Sequence, residues 1–312
     1  MTGETTVDSV PVGAALGIAA DGRIQFRVTY PRAPRSSPLP VAIVLNGFGC
    51  GPELYLWLAR RLAAAGMATV TYSLLESFVP DGPLLYVPGS NRAAAGPDAD
   101  GTIPLSSSVG PLLESLAART NATGEVPALD LDRVGLIGHS GGGAIALRSA
   151  AHPSLRAIQA VACIAAHAVA LPQSGWPVGG IPPLSQSCPT LIIGGDADAV
   201  IGASAAAGKY GDGASTTGLY MRTYDAVGVG SLVVLAGGGH FAVCEDYDAA
   251  TTLGNPPGDP TDAAHRPLIG DLVATFLAST VCGSDPARHR FRRLLRAADP
   301  RIALGMQKPS TP

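Results

Sequence analysis

Charged and aromatic side chains are both scarce in this sequence. Of the 312 residues, 14% are charged and 5% are aromatic, whereas 46% are hydrophobic. A chain of this composition has enough apolar surface for a large core, which excludes wholesale disorder. The formal net charge of −3 gives no reason to expect a nucleic acid as partner. The composition therefore predicts a globular protein that does not bind nucleic acid.

Long apolar runs are also missing. No stretch reaches the length that a membrane-spanning helix needs. The first residues, MTGETTVDSVPVG, lack the basic start and the apolar core of a secretion signal. We therefore expect a cytoplasmic protein without a transmembrane segment.

Cysteine occurs only five times, at positions 50, 163, 188, 244 and 282. The odd number and the absence of CxxC or Cys/His spacing argue against a zinc site and against a dense disulfide framework. Buried reduced thiols are the simplest interpretation. One disulfide is still possible. Cys244 and Cys282 are the candidate pair, because a bond between them would fix the last core helix. Neither a metal nor an organic cofactor is expected.

Apolar segments of two kinds alternate along the chain. Runs such as PVAIVL, RVGLIG and PTLIIGG predict buried strands, and ELYLWLARRLAAAG and GGAIALRSAAH predict helices. This alternation implies right-handed crossovers and a mostly parallel central sheet with helices on both faces. We predict one α/β domain over residues 1–282. Its polar, Pro/Gly-rich stretch 76–107 is expected to form a lid or binding loop.

The end of the chain differs from the rest in charge. Residues 283–312 contain seven Lys or Arg and two Asp, so this basic tail carries +5 and the remainder −8. Phe291, Leu294 and Leu295 lie among the arginines, which is typical of an amphipathic helix that contacts a membrane surface or a partner. The alternative is a helix that packs on its own domain or frays.

The pentapeptide GHSGG follows an apolar strand and precedes an alanine-rich helix. Gly138, Ser140 and Gly142 fit the G-x-S-x-G pattern, in which a strained strand-to-helix turn exposes a serine hydroxyl. The bare pattern is weak in a chain with 39 glycines, but the strand and helix around it supply the required context. We therefore predict that Ser140 is a nucleophile.

A serine nucleophile of this kind needs an acid and then a histidine, each just after a strand. LIIGGDADAV offers Asp196 and Asp198, and LAGGGHFAV offers His240. Either aspartate has an alternative role as a helix cap, and His240 has one as a polar turn residue. The order along the chain and the positions at strand ends favour a triad of Ser140, an aspartate and His240.

Acyl transfer also needs backbone amides that stabilise the developing oxyanion. The amide of Gly141 directly follows the nucleophile, and the loop NGFGCG after the strand VAIVL supplies a second donor. We predict the Phe48 amide as that second donor, with Gly47 as the alternative.

Three segments carry a resemblance to a known family. GHSGGGAIALRSAAHPSLRAI, LIIGGDADAVI and GGGHF resemble the α/β-hydrolase superfamily, and more narrowly its dienelactone hydrolase-like, chlorophyllase and cutinase-like polyester hydrolase branch. The resemblance covers most of residues 36–280 and implies an α/β-hydrolase fold. It also implies that the second acidic residue, Asp198, is catalytic and that Phe48 is the aromatic residue of the oxyanion loop.

The resemblance gives less information about the substrate pocket. His167 lies near the place where such enzymes carry a substrate-clamping aromatic residue, and its alternative role is structural. Trp176, Phe78 and Tyr86 are further pocket candidates, because binding surfaces concentrate in long loops.

Together these features predict a serine hydrolase that cleaves a small-molecule carboxylic ester, a lactone or a thioester through an acyl-enzyme. Two alternatives are an acyltransferase or cyclising thioesterase that uses the same triad, and a non-catalytic scaffold that binds a ligand.

Overall fold

The computed structural model describes residues 10–32, 37–77, 81–122, 126–245 and 263–309. Within these ranges nine strands form one sheet: β1 (Val12–Ile18), β2 (Gln25–Pro31), β3 (Leu39–Leu45), β4 (Ala68–Ser73), β7 (Leu129–His139), β8 (Ile158–Ile164), β9 (Thr190–Gly195), β10 (Gly230–Leu235) and β11 (Ile302–Gln307). A short hairpin comprises β5 (Leu75–Glu76) and β6 (Leu85–Tyr86). The α-helices are α1 (Leu56–Ala64), α2 (Val109–Ala122), α3 (Gly141–Ser149), α4 (Ala199–Ala206), α5 (Thr216–Ala226), α6 (Arg266–Thr280) and α7 (Asp285–Arg296).

The nine-stranded sheet has the order β1-β2-β4-β3-β7-β8-β9-β10-β11. Its six central strands, from β4 to β10, run parallel. The outer strands β1, β2 and β11 pair antiparallel with their neighbours. The predicted mostly parallel sheet is therefore confirmed, with antiparallel strands added at both edges.

Helices cover both faces of this sheet, as strand β3 illustrates. Val41, Ile43 and Leu45 pack into one apolar cluster together with residues of α2 and α3. Ala42 and Val44 point the other way, into a cluster with residues of α1 and α6. Because neither face meets water, every residue of β3, β9 and β10 is buried. This explains why the sequence of these strands is apolar without alternation.

The residues after 282 belong to the same folded unit, so the predicted boundary at that position is wrong. Helix α7 packs on α6 through Phe291 and Phe276, whose ring centroids are 5.5 Å apart. Strand β11 then pairs with β10. Leu294 and Leu295 also pack against the core, while the arginines Arg290, Arg293 and Arg296 are exposed. The chain's own domain covers the apolar side of this amphipathic helix.

Two further expectations concern cysteines and membranes. Cys244 and Cys282, the pair considered for a disulfide, are not bonded to each other. Cys282 packs against the core near the end of α6, whereas Cys244 is fully buried elsewhere. None of the helices in the described ranges is long and apolar enough to cross a membrane.

Candidate active site

Ser140 occupies a sharp turn between β7 and α3. Its backbone angles are φ 54° and ψ −127°, a strained conformation for a residue with a Cβ. A Cβ on Gly138 would collide with the backbone of Gly142, and one on Gly142 would collide with the carbonyl of Leu45. The two glycines of the motif are therefore needed so that strand and helix can approach each other behind the serine.

The structure brings Ser140, His240 and Asp198 together in one hydrogen-bonded row. Ser140 Oγ lies 2.9 Å from His240 Nε2, and His240 Nδ1 lies 2.8 Å from Asp198 Oδ2. The carboxylate accepts the Nδ1 proton, which leaves Nε2 free to accept the proton of the serine hydroxyl. Asp198 and His240 are almost completely buried, and Ser140 is half-buried. A row of this kind can transfer the serine proton to the imidazole.

Asp198 is held by more than its contact with His240. Its Oδ1 accepts the amide of Ile201, 2.9 Å away, so this aspartate also caps helix α4. Its Oδ2 accepts the hydroxyl of Tyr220 at 2.8 Å. Burial acts to raise the pKa of Asp198, but the charge and hydrogen bond of His240, with the donors Ile201 and Tyr220, outweigh it. The pKa of Asp198 is therefore lowered, and the group is a carboxylate at neutral pH.

The other aspartate considered for this role has a different task. Asp196 is exposed and accepts the amide of Gly237 at 2.7 Å, which ties the end of β9 to the turn after β10. The structure places Asp198, and not Asp196, against His240. The two alternatives for Asp198, cap and triad partner, are both realised because its two carboxylate oxygens face different donors.

A second network reaches His240 through its backbone carbonyl and includes His139. His139 Nε2 donates to the backbone carbonyl of His240 at 2.9 Å, so Nδ1 is the acceptor in the neutral imidazole. Tyr55 donates its hydroxyl to that Nδ1 at 2.8 Å and accepts the amide of Gly47 at 3.1 Å. The amide of Gly47 is thus directed to Tyr55, which excludes Gly47 as the predicted alternative oxyanion donor.

The loop after β3 is fixed from several sides. Asn46 donates its side-chain amide to the carbonyls of Gly47 and Cys50, at 3.0 and 2.9 Å. The ring of Phe48 lies against Gly141, so closely that a Cβ there would collide with it. The amide of Gly141 opens helix α3, where the first N–H groups have no partner within a helix. Phe48 and Gly141 therefore flank the nucleophile from two elements.

Cys50 and Cys244 lie against His139 and are buried with it. Within the described part of the chain, these three residues form the one group of His, Cys, Asp or Glu side chains close enough to hold a metal ion. The hydrogen bond from Cys244, with smaller contributions from His139 and Tyr55, lowers the pKa of Cys50 to about 4 in spite of its burial. Burial, with the neighbouring Cys50, raises the pKa of Cys244.

A cavity of about 960 Å³ opens beside the nucleophile. Its walls include Phe48, Gly141, Ile145, Val169 and Leu171. Most of this wall is apolar, which suits the acyl or alcohol part of an organic ester.

One side of the cavity is fixed by Arg148, the last basic residue of α3. Its guanidinium pairs with Asp100 at 2.7 Å and donates to the carbonyls of Ala94 and Ala95. Trp176 lies over the same guanidinium, 5.7 Å from it, and donates its indole N–H to Ala95. The stretch 81–107 is therefore tied to the helix that carries the nucleophile.

Of the predicted pocket residues that the structure describes, Trp176, Tyr86 and His167 are all absent from the lining of the cavity. Trp176 does not line the cavity but contacts Arg148, which does, and Ala95. The backbone carbonyl of Tyr86 accepts the amide of Gly49, so this residue supports the oxyanion loop. Phe78 falls outside the described residues. The predicted substrate contacts of Trp176, Tyr86 and Phe78 therefore have no direct support from the structure.

His167 is likewise absent from the lining, although the next residue, Ala168, belongs to it. Its ring meets that of Tyr210 edge to face, with centroids 4.4 Å apart. Burial is the main reason that the pKa of His167 is lowered to about 4. A neutral imidazole packed in this way corresponds to the structural alternative.

Sequence patterns missed Tyr55 and Tyr220, which contact the site through their hydroxyls. Both rings are almost completely buried and fit the apolar spacing of their segments, so each resembles an ordinary core aromatic residue. A buried tyrosine usually directs its hydroxyl to a polar partner. This rule is the one signal in the sequence that points to these two hydroxyls, and it does not identify the residues that they contact.

A comparison with known proteins found a similar hydrolase. No protein-family model matches the chain. A bis(hydroxyethyl) terephthalate hydrolase of Streptomyces coelicolor is 25% identical over 202 residues, which are 64% of this chain. The match covers 53% of the relative, so the chain spans about half the length of that protein. The mostly parallel sheet, the strained serine at its strand-to-helix turn and this similarity together identify the fold as an α/β-hydrolase fold.

Proposed function

We propose that this protein is a serine hydrolase that cleaves carboxylic esters. The observation that carries the proposal is the row from Ser140 through His240 to Asp198, with contacts of 2.9 and 2.8 Å. The similarity to a bis(hydroxyethyl) terephthalate hydrolase supports the same reaction class. A pure binding scaffold has no physical need for all three groups in this arrangement.

In the proposed mechanism Ser140 Oγ attacks the ester carbonyl while His240 Nε2 takes its proton. Asp198 stabilises the imidazolium and keeps the ring oriented. The amides of Phe48 and Gly141 donate to the oxyanion of the tetrahedral intermediate. His240 then returns the proton to the leaving alcohol, which produces an acyl-enzyme. Water, activated by the same imidazole, releases the acid and restores Ser140.

The cavity suggests the substrate class. A volume of about 960 Å³ with walls at Ile145, Val169 and Leu171 accommodates an aromatic or extended acyl group. The relative is named for a terephthalate diester, and we propose aromatic diesters of small alcohols as substrates for this chain. A chain-length series of p-nitrophenyl esters, run beside bis(hydroxyethyl) terephthalate, measures the acyl group that the cavity prefers. Faster turnover of acetyl than of all longer and aromatic esters would contradict this substrate class.

The central experiment replaces the nucleophile. Ser140→Ala should lower p-nitrophenyl ester turnover about 10⁴-fold or more and abolish covalent labelling by a fluorophosphonate. Ser154→Ala is the matched control, because this serine lies on an exposed turn and contacts His152. The control should keep both properties. Undiminished labelling of Ser140→Ala would exclude the proposed nucleophile.

The same enzyme preparation distinguishes hydrolysis from acyl transfer. Product analysis with and without a competing alcohol or amine should give the free acid as the main product in both cases. A product that carries the added nucleophile in large excess over the acid would favour an acyltransferase.

A further inference from the structure

The buried group formed by Cys50, His139 and Cys244 has no role in the proposed ester cleavage. Its three possible ligand atoms, two Sγ and the imidazole Nδ1, all lie within 4.8 Å of one another. Cys244 Sγ is 4.0 Å from His139 Nδ1. The three residues are at most 2% exposed, so the group is closed to bulk water.

These separations are close to those of a metal site. When Zn²⁺ binds two thiolates and an imidazole, bond lengths of about 2.3 and 2.0 Å place the donor atoms about 3.5–4 Å apart. The Cys244 and His139 donors already have that spacing. The remaining pairs, at up to 4.8 Å, need to approach by at most about 1.3 Å. Side-chain rotation of two cysteines provides movement on this scale.

The imidazole is oriented as a metal ligand usually is. In such sites the second ring nitrogen donates to a carboxylate or a backbone carbonyl, which fixes the tautomer. His139 Nε2 donates to the carbonyl of His240, so the lone pair of Nδ1 points into the group. The hydroxyl of Tyr55 is the donor that meets this lone pair, at 2.8 Å. Because its oxygen lies where a cation on Nδ1 would sit, the Tyr55 side chain has to shift aside on binding, and its contact with the amide of Gly47 lengthens.

Charge also favours a divalent cation in this place. Two thiolates and a neutral imidazole around one M²⁺ form a group with no net charge. A neutral group is the kind that a buried site tolerates, whereas a single buried ion is costly. Thiolate and imidazole ligands select soft or borderline cations such as Zn²⁺ over Mg²⁺ and Ca²⁺.

We propose that Cys50, His139 and Cys244 bind one Zn²⁺-class cation, which links the oxyanion loop, the nucleophile turn and the segment after His240. Each of the three ligands belongs to a different one of these segments. Both cysteines bind as thiolates, any remaining thiol proton passes to solvent, and two metal–sulfur bonds and one metal–nitrogen bond form. The cation has a structural role, because its ligands do not include Ser140, Asp198 or His240.

The test uses Co²⁺ as a spectroscopic substitute for Zn²⁺. The full chain is reduced, treated with a chelator, freed of both reagents and titrated with Co²⁺ and then Zn²⁺. We expect one Co²⁺ per chain, with a near-ultraviolet thiolate-to-cobalt band that Zn²⁺ abolishes. The melting temperature should rise by about 3 °C or more, since the cation binds the folded state better than the unfolded one.

Variants distinguish this site from surface binding. Cys50→Ser and Cys244→Ser should each lose the cobalt band and the rise in melting temperature. Cys188→Ser and Cys282→Ser are the matched controls, because both cysteines lie outside the group, and they should keep both signals. Circular dichroism establishes that each variant is folded. Cys244→Ala serves as the second variant where a serine substitution prevents folding.

Three outcomes would overturn the proposal. The first is a reduced wild-type chain without a thiolate-to-cobalt band. The second is a band that survives in folded Cys50→Ser and Cys244→Ser. The third is a reduced chain that takes up no metal but forms a Cys50–Cys244 disulfide with oxidised glutathione, which would make the pair a redox site. None of these outcomes depends on ester cleavage, which is measured separately with Ser140→Ala.

Discussion

Two buried tyrosines are each linked to His240 through one other residue, and they meet different partners. Tyr220 donates to the carboxylate of Asp198, whereas Tyr55 donates to the neutral imidazole of His139. The distances are equal, at 2.8 Å. A hydrogen bond to a charged group contributes more than one between neutral groups. The comparison suggests that one side of the site controls charge and the other controls the position of the backbone.

The largest effect is expected from removing the charge itself. Asp198→Asn should lower kcat/KM about 10⁴-fold, because the amide no longer stabilises the imidazolium and favours the wrong tautomer. Asp196→Asn is the matched control two residues earlier, where the side chain serves only the amide of Gly237. The control should stay within about threefold of the wild type. Equal losses in both variants would mean that the acid has been wrongly assigned.

Tyr220→Phe should have the next largest effect. Without this donor the carboxylate is no longer held in line with the imidazole, so we expect kcat/KM to fall about 10- to 100-fold. The carboxylate then keeps more of its negative charge for His240 and favours the imidazolium. The acid limb of the pH profile of kcat/KM should therefore move to higher pH. Tyr224→Phe, four residues further along α5, is the control and should leave the profile unmoved.

Tyr55→Phe should have the smallest effect of the three. A neutral hydrogen bond contributes about 0.5–1.5 kcal/mol, so we expect a loss of about 2- to 10-fold in kcat in chelator-treated protein. The pH profile should keep its shape, because no charged group loses a donor. Tyr30→Phe in β2 is the control for a tyrosine far from the site. A shift of the acid limb in Tyr55→Phe as large as that in Tyr220→Phe would remove the distinction between the two sides.

The three residues of the catalytic row could be predicted from the sequence because each of them follows the end of a strand. In a parallel sheet the carboxyl ends of the strands meet at one edge. Ser140, Asp198 and His240 follow β7, β9 and β10, and an apolar run marks each of these strands in the sequence. The parallel order of the sheet could be predicted for the same reason, since the apolar runs alternate with helices.

Other parts could not be read from local patterns. Residues Cys50 and His139 are 89 positions apart, and His139 and Cys244 are 105 apart, so no sequence spacing links them. The position of Trp176 behind the cavity depends on Arg148, which belongs to another element. Strand β11 was not predicted. Ile302, Leu304 and Met306 alternate with smaller or polar residues, which is typical of a strand, but the nearby arginines favoured a basic amphipathic helix for the whole tail.

Strand β11 also has a practical consequence for handling the protein. It pairs along β10 from Ser231 to Leu235, and the amide of Lys308 continues the ladder to Gly230. Without it, an apolar strand of sequence GSLVVL would present unpaired backbone groups at an open edge, which is a template for intermolecular pairing. Truncation after α7, or cleavage near residue 300, should therefore cause aggregation even with the catalytic row intact. An affinity tag is better placed at the other terminus.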